Sequence, residues 1–179
     1  DNINISGLAS REFSSAPTQK FVSLSPQDFN YIKPKLLVKE GDHVSLGDAL
    51  FFDKINPDVK WPSIAAGTIS KIVYGERRAV LDIIIEVDDN KEKTSQIINE
   101  RNLSTKEDVK NFIQNNNLWP FFIQRPFNKV VDPKDSPKCI IVSLADSSPL
   151  ANDLSFSLSD KKDNIVSALS NIKKLTDGN

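Results

Sequence analysis

The stretch Val38-Lys39-Glu40-Gly41-Asp42-His43-Val44-Ser45-Leu46-Gly47-Asp48-Ala49-Leu50 reads V-x-x-G-D-x-V-x-x-G-D-x-L and decides the fold of the first half of the chain. Gly41 and Gly47 permit tight turns with positive φ. Asp42 and Asp48 are placed to bond the local backbone with their carboxylates, and Val44 and Leu50 are expected to face inward. About 20 residues further on comes Ser63-Ile64-Ala65-Ala66-Gly67-Thr68-Ile69. Short β-branched and aromatic runs surround these motifs: Leu36–Val38, Ala49–Phe52, Thr68–Tyr74 and Val80–Val87. Turn chemistry separates them at Glu40-Gly41-Asp42, Leu46-Gly47-Asp48, Asn56-Pro57-Asp58, Ala66-Gly67 and Gly75-Glu76-Arg77-Arg78. The spacing predicts a compact all-β sandwich or barrel.

Upstream, Ile3-Asn4-Ile5 and Phe21–Leu24 are weaker strand candidates, with Ser and Pro between them. Downstream, the charged stretch 88–102 reads as a boundary. Ser104 with Glu107 three residues later has the form of a capping box, and Val109, Phe112 and Ile113 share one face, which predicts a helix over 104–116. Pro120, Pro126, Pro133 and Pro137 exclude a long helix or a central strand over 118–137. Cys139–Leu144 is continuously apolar and is expected to be a strand buried on both faces, with Cys139 packed inertly at its head. Ile165, Leu169 and Ile172 recur at helical spacing in 160–175, so strand, loop and helix open a βαβ unit. The fold class is therefore α+β. An N-terminal all-β domain occupies residues 1–93, and the beginning of a truncated α/β domain occupies 94–179.

Composition removes several functions. The 179 residues are 39% hydrophobic and 26% charged, with a net charge of −1, which argues against nucleic-acid binding. One cysteine excludes an internal disulfide, and one histidine with one cysteine falls short of a structural zinc set. Six glycines leave little material for phosphate-binding loops. No apolar run reaches the roughly 20 residues of a membrane helix. The chain contains no methionine and ends Leu175-Thr176-Asp177-Gly178-Asn179, a helix stop where a strand is expected; it reads as a cut piece of a longer chain.

The motif pair in 38–69 resembles the biotinyl/lipoyl-type barrel-sandwich hybrid. Asp53-Lys54-Ile55 resembles the D-K-A of lipoyl carriers, so one reading is a carrier module with a modified Lys54. The other is an ordinary surface lysine, because Lys54 stands closer to Leu50 than in the lipoyl pattern and Asn56-Pro57-Asp58 is the expected tip. A wider set of motifs resembles the family of A subunits of the sodium-translocating NADH:quinone reductase. It comprises Lys54-x-Asn56-Pro57-x-Val59-Lys60, Ala66-Gly67, and Gly75-Glu76-Arg77-Arg78-Ala79-Val80-Leu81 running on to Ile84-Ile85-Glu86-Val87. It continues with Leu118-Trp119, Arg125-Pro126-Phe127-Asn128-Lys129-Val130 and Ile140 through Ala151. The chain departs from that family where Ile64 or Ala65 replaces a usual Pro and where Leu144-Ala145-Asp146 replaces A-M-D. The resemblance implies a peripheral subunit on the cytoplasmic side of the bacterial inner membrane. Its partners would be the other subunits of the complex, above all the membrane subunits. The complex is a respiratory translocase coupling electron flow from NADH to ubiquinone with sodium transport. It implies that NADH, FAD, FMN, iron–sulfur and ubiquinone are used through other subunits. The same family is similar to the flavin-binding subunit of respiratory complex I and to the C subunit of the Rnf complex.

Those relatives place a run of glycines after the helical segment, where backbone N–H groups approach the flavin phosphate. The equivalent Asn116–Pro126 contains none, and its rings and prolines block that approach. No G-x-G-x-x-G occurs. We therefore expect no cofactor, no catalytic group and no metal on this chain. The resemblance associates ubiquinone with two segments, the one holding Phe29 and Tyr31 and the one holding Arg125 and Phe127. Trp119, Phe121 and Phe122 would add apolar walls. The competing reading of these residues is core and inter-domain packing, which gives a pure assembly module. His43 is expected to be exposed or locally bonded. Arg77-Arg78 is a solvated turn or a contact for an acidic partner. Asp146 is a loop-stabilising residue or a ligand contact beyond a strand end.

Overall fold

The computed structural model describes residues 10–15, 17, 19–88, 103–146, 148 and 151–178. The strand expected at Ile3–Ile5 lies outside these. Among the described residues there are nine short strands: β1 (Phe21–Leu24), β2 (Pro34–Leu36), β3 (His43–Val44), β4 (Ala49–Asp53), β5 (Lys60–Pro62), β6 (Gly67–Tyr74), β7 (Val80–Val87), β8 (Ile123–Gln124) and β9 (Lys129–Val130). The first seven form two antiparallel sheets, β1-β7-β6-β3 and β2-β4-β5.

The opening motif folds as expected. Gly41 and Gly47 take φ of 88° and 91°. The Asp42 carboxylate accepts from the Lys39 N–H at 3.0 Å and the Asp48 carboxylate from the Ser45 N–H at 2.7 Å. The second motif pairs directly with the first. Gly41 N–H donates to the Ile69 carbonyl and Ile69 N–H to the Asp42 carbonyl, both at 2.8 Å; Gly47 N–H donates to Ser63 and Ser63 N–H to Asp48. Val44 and Leu50 are buried with Phe51, Val59, Trp61, Ile69, Ile72, Ile83 and Ile85. This core closes because alternate residues of each strand point to one face. Along β7, for instance, Ile83 and Ile85 are fully buried while their neighbours are half-exposed. Two strands escape the sequence pattern. β3 has only two residues, and β5 ends in a proline, which residue spacing disfavours inside a strand.

The second half packs onto the barrel. The helix α1 (Lys106–Asn115) lies within the expected 104–116, with its cap one residue later than expected. Its capping box is Thr105 with Asp108, not Ser104 with Glu107: the Asp108 N–H donates to the Thr105 hydroxyl and the Thr105 N–H to the Asp108 carboxylate. Val109 and Ile113, four residues apart on one face, point inward as their spacing predicts. As the prolines require, 118–137 holds only a 3₁₀ turn at Trp119–Phe121 and the small hairpin β8-β9. The helices α2 (Leu154–Ser157) and α3 (Lys162–Ile172) follow, with a last turn at Lys173–Leu175 whose Leu175 is buried.

A larger expectation also fails. Cys139–Leu144 is not a strand, and its residues are exposed or half-exposed: Cys139 lies on the surface and Ile141 is 86% exposed. A two-sided buried strand needs a neighbour on at least one edge and a layer on each face. Among the described residues no strand pairs with this segment.

Candidate functional site

The structure brings together the two segments singled out around Phe29–Tyr31 and Arg125–Phe127. Asn30 forms a parallel bridge with Lys129, and its side-chain N–H donates to the Asn128 carbonyl at 3.2 Å. Lys129 in turn pairs with Gln124 in the β8-β9 hairpin that displays Arg125, Pro126 and Phe127 at its tip. The hairpin turn contains Asn128 at φ 50°, a left-handed position that Asn tolerates better than most residues.

The side chains divide into two sets. Trp119 is buried, donates its indole N–H to the Val131 carbonyl at 2.7 Å, and lies 5.5 Å from the Phe122 ring. Phe29 is partly buried and meets Trp61 edge-on at 5.3 Å, while Trp61 stacks on Phe51 at 4.9 Å. These rings weld the barrel to the Trp119–Phe121 turn, which packs against β5. Asn117 adds a polar tie, donating to the Gly47 carbonyl at 2.9 Å. Tyr31, Phe121, Arg125 and Phe127 instead face solvent, and Tyr31 takes φ 63°. The five residues Phe29, Tyr31, Trp119, Arg125 and Phe127 thus lie along one seam, some as packing and some as surface.

Two orphaned polar atoms belong to the same neighbourhood. The Trp61 indole N–H and the Gln124 side-chain oxygen are buried without a described partner. Two open clefts lie among the described residues, and the second shares Asn117 with the seam. One, of about 470 Å³, runs along α3 and the turn after it, from Asp163 to Lys174. The other, of about 380 Å³, is lined by Asp58, Lys60, Gln114, Asn115 and Asn117.

The remaining candidates are placed plainly. Lys54 is exposed at the start of the β4-β5 turn, its N–H donating to the Lys33 carbonyl, and Asn56-Pro57-Asp58 forms the outer part of that turn. His43 is exposed and its ring nitrogen lies 2.8 Å from the Asp88 carboxylate, 45 residues away. Asp146 makes an Asx turn, accepting from the Ser148 N–H at 2.8 Å, and the Ser148 contacts hold its carboxyl below the usual range. Cys139 is exposed, not packed as expected. Among the described residues no group of three or more His, Cys, Asp or Glu could hold a metal, and no helix is long and apolar enough to cross a membrane.

Sequence reasoning missed the tie residues Asn30, Trp61 and Asn117. The run Asn115-Asn116-Asn117 carried a usable signal, since Asn117 ends the helix at φ 57° and Asn favours that conformation. Nothing local marked Trp61.

The comparisons agree with this architecture. Residues 2–88 match the model of the NqrA N-terminal barrel-sandwich hybrid domain, and residues 104–179 match that of the NqrA second alpha/beta domain. The chain is 35% identical over 154 residues to the A subunit of the Na(+)-translocating NADH-quinone reductase of Pseudomonas aeruginosa (strain UCBPP-PA14), covering 85% of this chain and 35% of that one. The proteins of the same name from Yersinia pseudotuberculosis serotype O:1b and from Marinomonas sp. (strain MWYL1) are each 32% identical over 179 residues, covering 99% of this chain and 40% of theirs. The chain thus spans about two-fifths or less of the length of the curated relatives it matches. With both domain models satisfied in order and similarity along nearly its whole length, the chain belongs to the family of Na+-translocating NADH-quinone reductase A subunits.

Proposed function

We propose that this chain is part of a peripheral, non-flavin subunit of a Na+-pumping NADH:ubiquinone oxidoreductase, bound on the cytoplasmic side of the bacterial inner membrane to the membrane subunits. It divides functionally into residues 1–93, the barrel, and residues 94–179, the start of the α/β domain. Electron transfer through NADH, FAD, FMN and iron–sulfur groups belongs to the other subunits. Three features support the non-flavin reading: the glycine-free Asn116–Pro126, the burial of Trp119 and Pro120 within it, and the Trp119–Val131 hydrogen bond that closes the turn. Backbone so covered offers no N–H cradle to a phosphate.

The observation that carries the quinone-proximal part is the Asn30–Lys129 bridge. It sets Phe29 and Tyr31 beside the hairpin bearing Arg125 and Phe127, with Trp119 behind. A planar, apolar head group with carbonyl acceptors is suited to aromatic walls and one guanidinium. The test is a quinone-analogue titration of the full-length protein, followed by fluorescence of Trp61 and Trp119. Saturable quenching that Arg125→Ala abolishes is the expected result. No response in the unaltered protein would leave assembly alone as the role of this seam, and a stoichiometric yellow chromophore on the purified protein would overturn the non-flavin reading.

A further inference from the structure

The tip between β6 and β7 is built against its own sequence. The Ala79 N–H donates to the Glu76 carbonyl at 3.1 Å, and the Gly75 N–H donates to the Ala79 carbonyl at 2.8 Å, so Glu76–Ala79 is a tight hairpin turn. Its two central residues both lie in the left-handed region, Arg77 at φ 52°, ψ 28° and Arg78 at φ 60°. A turn with two positive φ values is the one that selects Asn-Gly. Here two side-chain-bearing residues occupy it, both arginine, although such residues are penalised there.

The arginines gain nothing visible in return. Residues 76–79 are all exposed, and among the described residues neither guanidinium makes a hydrogen bond or an ion pair, although Glu76 is adjacent and Asp82 lies on the flanking strand. The strand ends behind the tip pack closely. The position where Gly75 would carry a Cβ lies 3.0 Å from Leu81, and Tyr74 beside it is half-exposed. The hairpin therefore presents to solvent two guanidinium forks without a partner among the described residues and an aromatic ring. Strain retained at an exposed position is typical of a functional contact, and Arg with Tyr is the composition of interface anchors.

We propose that Arg77 and Arg78 form a docking tip for carboxylates on a partner protein, namely an acidic surface of another subunit of the complex. The inference rests on the subunit reading above. Guanidinium forks grip carboxylates bidentately. Two cations are fewer than the roughly four to eight clustered basic residues that attachment to anionic lipid calls for. A chain of net charge −1 does not suit nucleic acid.

The test uses the tagged full-length protein expressed with the other subunits of the complex. The variant Arg77→Asn with Arg78→Gly keeps the turn, relieves both strained residues and removes both forks. Recovery of the partner subunits should fall about tenfold or more, as for loss of anchor residues, while the thermal midpoint of the isolated protein rises. Undiminished recovery in the variant refutes the docking tip. Recovery of no partner by the unaltered protein refutes the subunit reading itself. Unchanged partner recovery, together with loss of flotation on phosphatidylglycerol vesicles, would assign the tip to lipid and also overturn the proposal.

Discussion

The two buried tryptophans differ in one atom's circumstances, and that difference predicts an unequal response to the same substitution. Trp61 and Trp119 are both nearly inaccessible, at 1% and 6% exposure. The Trp119 N–H donates to Val131 at 2.7 Å, whereas the Trp61 N–H has no described partner. Replacing either by Phe removes about three ring atoms and leaves a similar gap, costing on the order of 1–2 kcal/mol at both sites. At Trp119 the change also loses a hydrogen bond worth about 1 kcal/mol and strands a half-buried carbonyl, a further cost of roughly 1 kcal/mol. At Trp61 it deletes an unsatisfied donor whose burial costs about 1–3 kcal/mol, so part of the gap is offset. Trp119→Phe should therefore destabilise by about 2 kcal/mol or more beyond Trp61→Phe. Urea unfolding followed by far-UV circular dichroism measures the difference independently of the indole signal. Within these 179 residues each variant keeps a single tryptophan, whose emission reports the other site. If Trp61→Phe costs as much as Trp119→Phe, the hydrogen-bond accounting at these two rings is wrong.

Close contacts and caps supply further tests. In Gly67→Ala, an added Cβ would lie 2.1 Å from the Glu86 carbonyl oxygen, which is backbone of the paired strand and cannot rotate away; a loss of about 3 kcal/mol or more is expected, and an unchanged urea midpoint would contradict it. Thr105→Ala should cost about 1 kcal/mol by opening the cap of α1, read from the same urea midpoint. Its partner Asp108 has a carboxyl held below the ordinary range, first by the Thr105 hydroxyl and then by the Thr105 N–H. A carboxylate whose pKa is lowered by folding stabilises the fold above its unfolded value of about 3.9 and loses that effect as pH falls through the lowered value. Asp108→Asn should thus lower the urea midpoint at neutral pH and converge with the unaltered protein in acid. A gap that does not narrow as pH falls through that lowered value would refute the assignment.

The second half shows how far local pattern reaches. Val109 and Ile113 on α1 and Ile165 and Ile172 on α3 were legible because helical spacing is a property of adjacent residues. The cap slipped by one residue because Ser104-Thr105 and Glu107-Asp108 offer two overlapping boxes, and the local pattern does not choose between them. Cys139–Leu144 failed because an apolar run specifies only that a residue would gain from being covered, while pairing depends on a neighbour that no residue in the run encodes.

By itself the sequence determined the barrel. Two Gly-Asp turns at 41–42 and 47–48 demand positive φ, and alternating apolar runs can bury one face only by folding on themselves; both are short-range constraints written in consecutive residues. Tertiary structure alone decided the seam. Asn30 meeting Lys129, Trp61 meeting Phe29 and Asn117 meeting Gly47 join residues 32 to 99 positions apart. The first and last of these join the barrel to the second half, while Trp61 and Phe29 meet within the barrel; all three follow from how separated stretches fit once folded, which no local periodicity encodes.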